Sequence, residues 1–278
     1  MQTECRKLVF CRGAACFRKF LFAKLRKKPQ NHYICTVIET LFKKYISNMT
    51  IQDAIRQRHS VRSYSDRPVE KEKLKALQAL VDEYNQQSGL HIQLVTNDPT
   101  AFDSRMAHYG KFSGISNYLA MIGPKSDELL DEKIGYYGER LVLEAQMMGL
   151  NSCWVGLTFK KNPDVLRIAD GEKLRCVISL GYGETEGAAH KIKTVEQVSN
   201  VSDLTPDWFR QGVEAALLAP TAVNQQKFFF EYVPASDGQS AKVRAKRSFS
   251  IVGFTQIDLG IAKCHFEIGA GEEHFEWI

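Results

Sequence analysis

The chain has no Cys-x-x-Cys pair among its seven cysteines, no Gly-x-Gly-x-x-Gly stretch, and no apolar run long enough to span a bilayer. The first absence excludes the common zinc and dithiol redox motifs. The second excludes the fingerprint of a dedicated dinucleotide-binding βαβ unit. The third excludes a transmembrane helix. No constellation of acid, base and nucleophile stands out either. Cys153, Cys176 and Cys264 sit in apolar runs, which suits inert core residues better than nucleophiles. Cys5, Cys11, Cys16 and Cys35 lie together in the first segment.

Basic residues outnumber acidic ones only in that segment. Residues 1–48 carry eleven Lys and Arg against Glu4 and Glu39, a net +9, so residues 49–278 carry −4 of the chain's +5. The body is therefore mildly acidic, and no nucleic-acid partner is expected. Val9-Phe10-Cys11 is too short for a signal-peptide core. The basic and aromatic mix of 1–48 admits a membrane-surface helix. A plainer account makes 1–48 a poorly ordered extension, or places it upstream of a true start at Met49, because the patterned body begins at Thr50. With 44% hydrophobic and 25% charged residues over all 278 positions, the chain suits a soluble globular protein with one substantial core or two modest ones, expected to be cytoplasmic and without stable membrane association.

Ile51, Ala54 and Ile55 have helical spacing and lead into Arg58-His59-Ser60-Val61-Arg62. Arg58, Ser60 and Arg62 alternate, so an extended backbone points them to one side. Two guanidinium groups and a hydroxyl there suit a phosphate or another planar anion; on these residues alone a solvated basic turn is the simpler account. A helix is expected from Glu70 to Gln87, with Leu74, Leu77, Leu80, Val81 and Tyr84 as its apolar stripe and Gly89 as its stop. His91–Val95 alternates like a strand. Residues 97–116 read as a long excursion, either a lid or substrate wall or a covering loop. Tyr118–Gly123 reads as a buried strand. Ser126 is expected to cap a helix that reaches Met148 and stops at Gly149. Asn151–Val155 reads as a strand whose end, Trp154-Val155-Gly156, is a backbone edge beside a ligand or a simple turn. Leu174–Leu180 is a further buried strand, followed by a loop with Lys191 and Lys193, and charged loops of this kind are usually just solvated. Pro206 starts a helix with Phe209, Val213, Ala216 and Leu217 inside. Ala219-Pro220-Thr221-Ala222-Val223-Asn224-Gln225-Gln226 then leads into an aromatic strand at 228–233, a polar hairpin over 235–250 and a last helix at Asp258–Ala270. Asn85-Gln86-Gln87 and Asn224-Gln225-Gln226 each end a helix ahead of a strand, and a long apolar helix follows later in each half. This echo suggests two related halves, 49–200 and a shorter 201–278.

Taken together these pieces resemble the nitroreductase family of FMN-dependent oxidoreductases. Arg58-His59-Ser60-Val61-Arg62 is similar to the family's Arg-His-Ser-x-Lys/Arg motif, which binds the FMN phosphate and ribityl chain. Ala219 to Gln226 resembles its Ala-Pro-Ser-x-x-Asn-x-Gln-Pro-Trp motif along the flavin ring, with Thr221 for Ser and Lys227-Phe228 for Pro-Trp. Trp154-Val155-Gly156 resembles the segment whose amides face flavin N5, and Lys191-Ile192-Lys193 the late basic pair. The match covers 50–278. The order of the motifs departs from the ordinary family and resembles a branch typified by a Thermotoga protein, in which one chain carries two half-copies.

The resemblance implies an α+β nitroreductase-like fold: a central, mostly antiparallel sheet flanked by helices, with a tandem pseudo-repeat. It implies FMN as cofactor, held by Arg58, His59, Ser60, Arg62, Trp154, Val155, Gly156, Lys191, Lys193, Pro220, Thr221 and Asn224. NADH or NADPH would be a transient electron donor and a small molecule the acceptor. Nitroaromatics or quinones would be reduced by two-electron ping-pong transfer, which needs no side-chain acid or base and so no catalytic residue. The other readings are a flavin reductase with one dedicated substrate and a flavin-binding protein without turnover. The chain is expected to be either a monomer with an internal pseudo-dimer or a homodimer.

Overall fold

The computed structural model describes residues 49–103, 110–235 and 240–278. The basic segment 1–48, Tyr109 of the excursion, and residues 236–239 of the hairpin lie outside the described residues. Helix α1 spans Ile51–Gln57 and opens on a capping box, in which the Thr50 hydroxyl accepts from Asp53 N while the Asp53 carboxylate accepts from Thr50 N. Helix α2, Lys71–Ser88, buries Leu77, Leu80, Val81 and Tyr84 and ends at Gly89, whose φ of +73° is open to a residue without a Cβ. Strand β1 is Gln93–Val95, shorter than expected. Residues 97–103 and 110–116 contain a 3-10 turn at Pro99–Phe102 and bury Phe102 and Phe112 in an apolar cluster with Tyr118, Val61 and Val155.

Strand β2, Asn117–Pro124, is buried nearly throughout. Helix α3 covers Leu130–Met147. The expected Ser126 cap is replaced: Asp127 Oδ1 accepts from Leu129 N at 2.9 Å, a local turn that satisfies the nearest free amide and delays the helix to Leu130. Strands β3, Asn151–Val155, and β4, Glu172–Gly181, complete a four-stranded sheet in the order β1-β2-β4-β3, antiparallel at every pairing. Then come the short helix α4 (Val195–Val198), helix α5 (Asp207–Leu217), strands β5 (Phe228–Val233) and β6 (Ala241–Arg247), helix α6 (Thr255–Ala270) and strand β7 (Phe275–Trp277). Strands β5 and β6 pair antiparallel and β7 joins β6 in parallel, making a second sheet of three strands. All four residues expected to line α5 are buried. Phe230 of β5 stacks on Phe266 of α6 with ring centroids 4.6 Å apart.

Both halves run helix, two strands, long helix. They part company after that, since α3 leads into antiparallel β3 and β4 whereas α6 leads into the parallel β7.

Helix α6 is buried along most of its length, and glycines set how closely its neighbours approach. A Cβ on Gly135 of α3 would stand 2.0 Å from Ile257 O, and one on Gly260 of α6 would stand 2.0 Å from Glu132 O. The two helices therefore touch backbone to backbone. On its other side, a Cβ on Gly269 would meet Ala215 Cβ of α5 at 2.5 Å and Gln211 O at 2.8 Å. Polar pairs clamp the same seam: Lys263 and Gln256 both donate to Glu132 at 2.6 Å, and Tyr136 donates to Glu267 at 2.8 Å. Because the obstacle at Gly135 is main chain, Gly135→Ala should lower the unfolding free energy by about 1–3 kcal/mol or more. Denaturant unfolding beside an exposed control, Gly171→Ala, checks this; Gly171 has nothing near its Cβ position.

Candidate functional site

Arg58 closes α1 by donating its N–H to Ala54 O at 2.9 Å, and the chain then runs alongside β3. Val61 N donates to Ser152 O at 3.0 Å, and Ser60 bridges Ser152 in parallel. The first motif thus lies against the strand that ends in Trp154-Val155-Gly156. The Arg58 side chain turns inward and the residue is 3% exposed. Its Nε lies 3.7 Å from Glu139 Oε1, an ion pair too long for a hydrogen bond.

Glu139 itself is fully buried on α3. Its Oε2 accepts from the Trp154 indole at 2.8 Å, and its Oε1 shares a 2.9 Å hydrogen bond with His265 Nε2 of α6. His265 Nδ1 faces Ala215 O at 3.1 Å. One carboxylate therefore ties Arg58, β3 and α6 together. Among the described residues, Arg58 Nε and Nη1 are buried and have no hydrogen-bond partner. Buried polar groups are almost always paired, so two unmet donors on one guanidinium make it a candidate for holding an acceptor.

The second and third basic and polar motifs are one structure. Lys193 N donates to Gln226 Oε1 at 2.9 Å, and Lys193 Nζ donates to Gln226 O at 2.7 Å and Gln225 O at 3.3 Å. Asn224 Nδ2 and Gln226 Nε2 each donate to Lys191 O at 2.8 Å, and the Thr221 hydroxyl accepts from Gln226 N at 3.1 Å. This lattice holds a costly backbone: Val223, Asn224 and Gln226 have φ of +47°, +55° and +44°. A β-branched residue in that region is a steric outlier, and such conformations gather at ligand sites. The loop before Lys191 reaches back to the first motif. The Cβ position of Gly187 lies 2.8 Å from His59 Cβ, and His190 Nε2 donates to Leu217 O at 3.0 Å.

Cations crowd here. His59 is held below the ordinary histidine value by burial first, then by Arg58 and His190. His190 is lowered by burial, and Arg58 and His265 lower it further against a hydrogen bond to Leu217 O that raises it. Burial and Lys227 lower Lys193. Burial pushes the Cys153 thiol up although Arg62 and Arg58 both pull it down, which leaves it inert. Across from them Asp258 on α6 is pushed up to about 6 by burial while accepting from Ala222 N and from Gln225 Nε2.

The structure thus gathers all the expected motifs but assigns several side chains differently. Arg58 and Arg62 do not present equivalent guanidinium groups on one face: Arg58 is drawn in by Glu139, whereas Arg62 is exposed, its guanidinium 5.9 Å from the Phe112 ring. The Trp154 indole turns to α3, where it packs on Gly138 and donates to Glu139. Lys193 spends its ammonium on carbonyls of the 220–226 loop, and Asn224 spends its amide on Lys191 O. Ser60, His59 and Thr221 are half-buried, Pro220 and Val155 buried, and Lys191 exposed. Glu139, His265, Gln225, Asp258 and Phe254 are site residues that sequence reasoning does not find. A separate cleft of about 790 Å³, lined by Tyr64, Phe102, Phe112 and Glu184 among others, contains none of the motif residues. No helix among the described residues is long and apolar enough to cross a membrane.

This architecture is similar to a "putative nitroreductase" of Thermotoga maritima at 22% identity, covering 81% of this chain and 86% of that one with a TM-score of 0.55. The likeness defines the fold class as that of the nitroreductases. The family model described as "Putative TM nitroreductase" matches residues 50–270, and the chain belongs to that family of oxidoreductases. Two further solved structures are a "putative NADH dehydrogenase/NAD(P)H nitroreductase" of Parabacteroides distasonis and a "putative nitroreductase in complex with FMN" of Desulfovibrio desulfuricans. The first is 24% identical over 53% of this chain and 95% of its own, TM-score 0.42; the second 17% over 58% and 100%, TM-score 0.42. No curated protein matches the chain.

The crowded histidines set a pH dependence. Their folded values lie below the unfolded one near 6.5, so the unfolded state binds more protons, and stability should fall as pH drops through about 6.5 and below. Asp258 acts in the opposite sense: its raised value favours the fold as pH falls from about 6 towards 3.8. Thermal midpoints across this window for the native chain and a His59→Gln, His190→Gln double variant isolate the histidine part. The variant should lose less stability on acidification, and inorganic phosphate should narrow the difference.

Proposed function

We propose that the chain binds one FMN and acts as an NAD(P)H oxidoreductase on small acceptors such as nitroaromatics and quinones, in a two-step ping-pong cycle. The observation that carries this reading is the buried Arg58 guanidinium with two unmet donors, set among His59, His190 and the Lys193-braced loop. That donor set suits a phosphate dianion. When bound, FMN supplies the electron chemistry, taking a hydride at N5 and passing two electrons on. The chain's own residues bind and orient. Arg58, Ser60, Lys191 and Lys193 would neutralise and hydrogen-bond the phosphate. Exposed Arg62 would offer a positive charge to the reduced ring. The amides of Val155 and Gly156 would orient the ring edge, and Pro220, Thr221 and Asn224 would wall it. No side chain need move a proton in hydride transfer. Purified protein should be yellow and release FMN on denaturation, and NADH or NADPH should bleach it without oxygen.

Arg58→Ala should weaken FMN by about 1.5–3 kcal/mol, the loss of one charged hydrogen bond, and riboflavin, which lacks the phosphate, much less. Equal losses for both ligands, measured by titration, would place Arg58 outside the phosphate site. Arg58→Lys, which keeps a cation beside Glu139, guards against a folding defect.

The contacts joining the motifs also support a site complete within one chain. Mixing Arg58→Ala with Asn224→Ala protein should then restore nothing. Recovery of tight FMN binding on mixing would mean that two chains share each site.

A further inference from the structure

Phe254 heads α6 with φ +60° and ψ 2°, a left-handed conformation that a residue with a Cβ adopts only under constraint. The constraint is visible. Gln225 Nε2 donates to Gly253 O at 3.0 Å and to Asp258 Oδ2 at 2.6 Å, and Asp258 N donates to Phe254 O at 2.9 Å. Asp258 Oδ1 also accepts from Ala222 N at 2.9 Å, so the turn before α6 is locked to the strained 220–226 loop. This arrangement lays the Phe254 ring over Gly156. A Cβ at Gly156 would stand 2.7, 3.1 and 3.2 Å from three of its ring carbons. The phenyl ring occupies the space that a side chain at 156 would take, which explains a glycine there without any need for positive φ.

The ring is half-buried and borders exposed apolar chain on both sides. Leu157, next to Gly156, is 73% exposed, and Ile251, three residues before Phe254, is 95% exposed. A pinned backbone, a ring over a bare backbone edge and an apolar rim together describe a wall that flat apolar molecules meet from solvent. We infer that Phe254 is a specificity-determining residue, its ring setting how wide a planar aromatic molecule can be that stacks on a flavin held at the Val155–Gly156 edge. This rests on the FMN reading above. Because Gln225 and Asp258 hold the backbone, only side-chain rotation moves the ring, so a fused two-ring molecule meets it where a one-ring molecule does not.

The test uses the full chain loaded with FMN and a graded series, Phe254→Ala, Phe254→Leu and Phe254→Trp. Benzoate and 2-naphthoate serve as unreactive one-ring and two-ring probes, and their binding is read from the shift of the flavin's visible band. In Phe254→Ala naphthoate should tighten by at least about tenfold, while benzoate stays within about twofold. Leucine should fall between, and tryptophan should weaken naphthoate below the native chain. The ratio of kcat/KM for menadione over 1,4-benzoquinone should follow the same order. A merely structural role would make these changes track the thermal midpoint rather than ring width, and that result overturns the proposal. So does an unchanged naphthoate-to-benzoate ratio in variants that keep their FMN. A native chain that takes up no FMN overturns the flavin reading itself, an outcome distinct from either.

Discussion

The site depends on two helices touching without side chains between them. Gly135 and Gly260 let α3 and α6 meet at backbone distance, and this closeness lets Glu139 on one helix reach His265 on the other at 2.9 Å. A wider crossing would leave a carboxylate and an imidazole buried without each other, a far worse state than either an apolar pair or a solvated one. Two small residues therefore govern a polar cluster neither of them belongs to. Arg58 and Trp154, which lie on the site, inherit their positions from it.

Electrostatically the cluster is lopsided. A single buried carboxylate faces Arg58, His265 and the indole N–H, while His59, His190 and Lys193 lie around the loop that follows β4. Ion pairs of this kind add little net stability against apolar substitutes, but they do fix orientation. The guanidinium is aimed yet incompletely satisfied. A site designed only for stability would have matched it fully.

Much of the scaffold was legible. The stripes of α2 and α5, the left-handed stops at Gly89 and Gly149, and the buried runs of β2 and β4 are local patterns, and local patterns survive folding. The misreadings share one cause, a partner that local reasoning cannot see. Asp127 outcompeted Ser126 for the first free amide of α3. Helix α6 starts before Asp258 because Phe254 is bent into a left-handed turn by Gln225, far back in the chain. The alternation of Arg58 and Arg62 held as spacing and failed as geometry once Glu139 claimed one of them. The grouping of the four motifs came from resemblance to a family, and no spacing rule suggests it. Glu139 and His265 were illegible for the same reason: a charged residue in a buried helix is informative only when its mate is known.

The seam between α3 and α6 also dictates the order in which the molecule can be built. Its polar contacts join residues 124 to 131 positions apart, whereas the hairpin of β5 and β6 and the link from Glu139 to Trp154 span far fewer. Contacts of such long range form late and slowly, because the intervening chain must first be gathered. Until α6 arrives, Gly135 presents bare helix backbone and Glu139 lacks its imidazole. Arg58 is thus among the first parts of the body to be synthesised and among the last to be set in place.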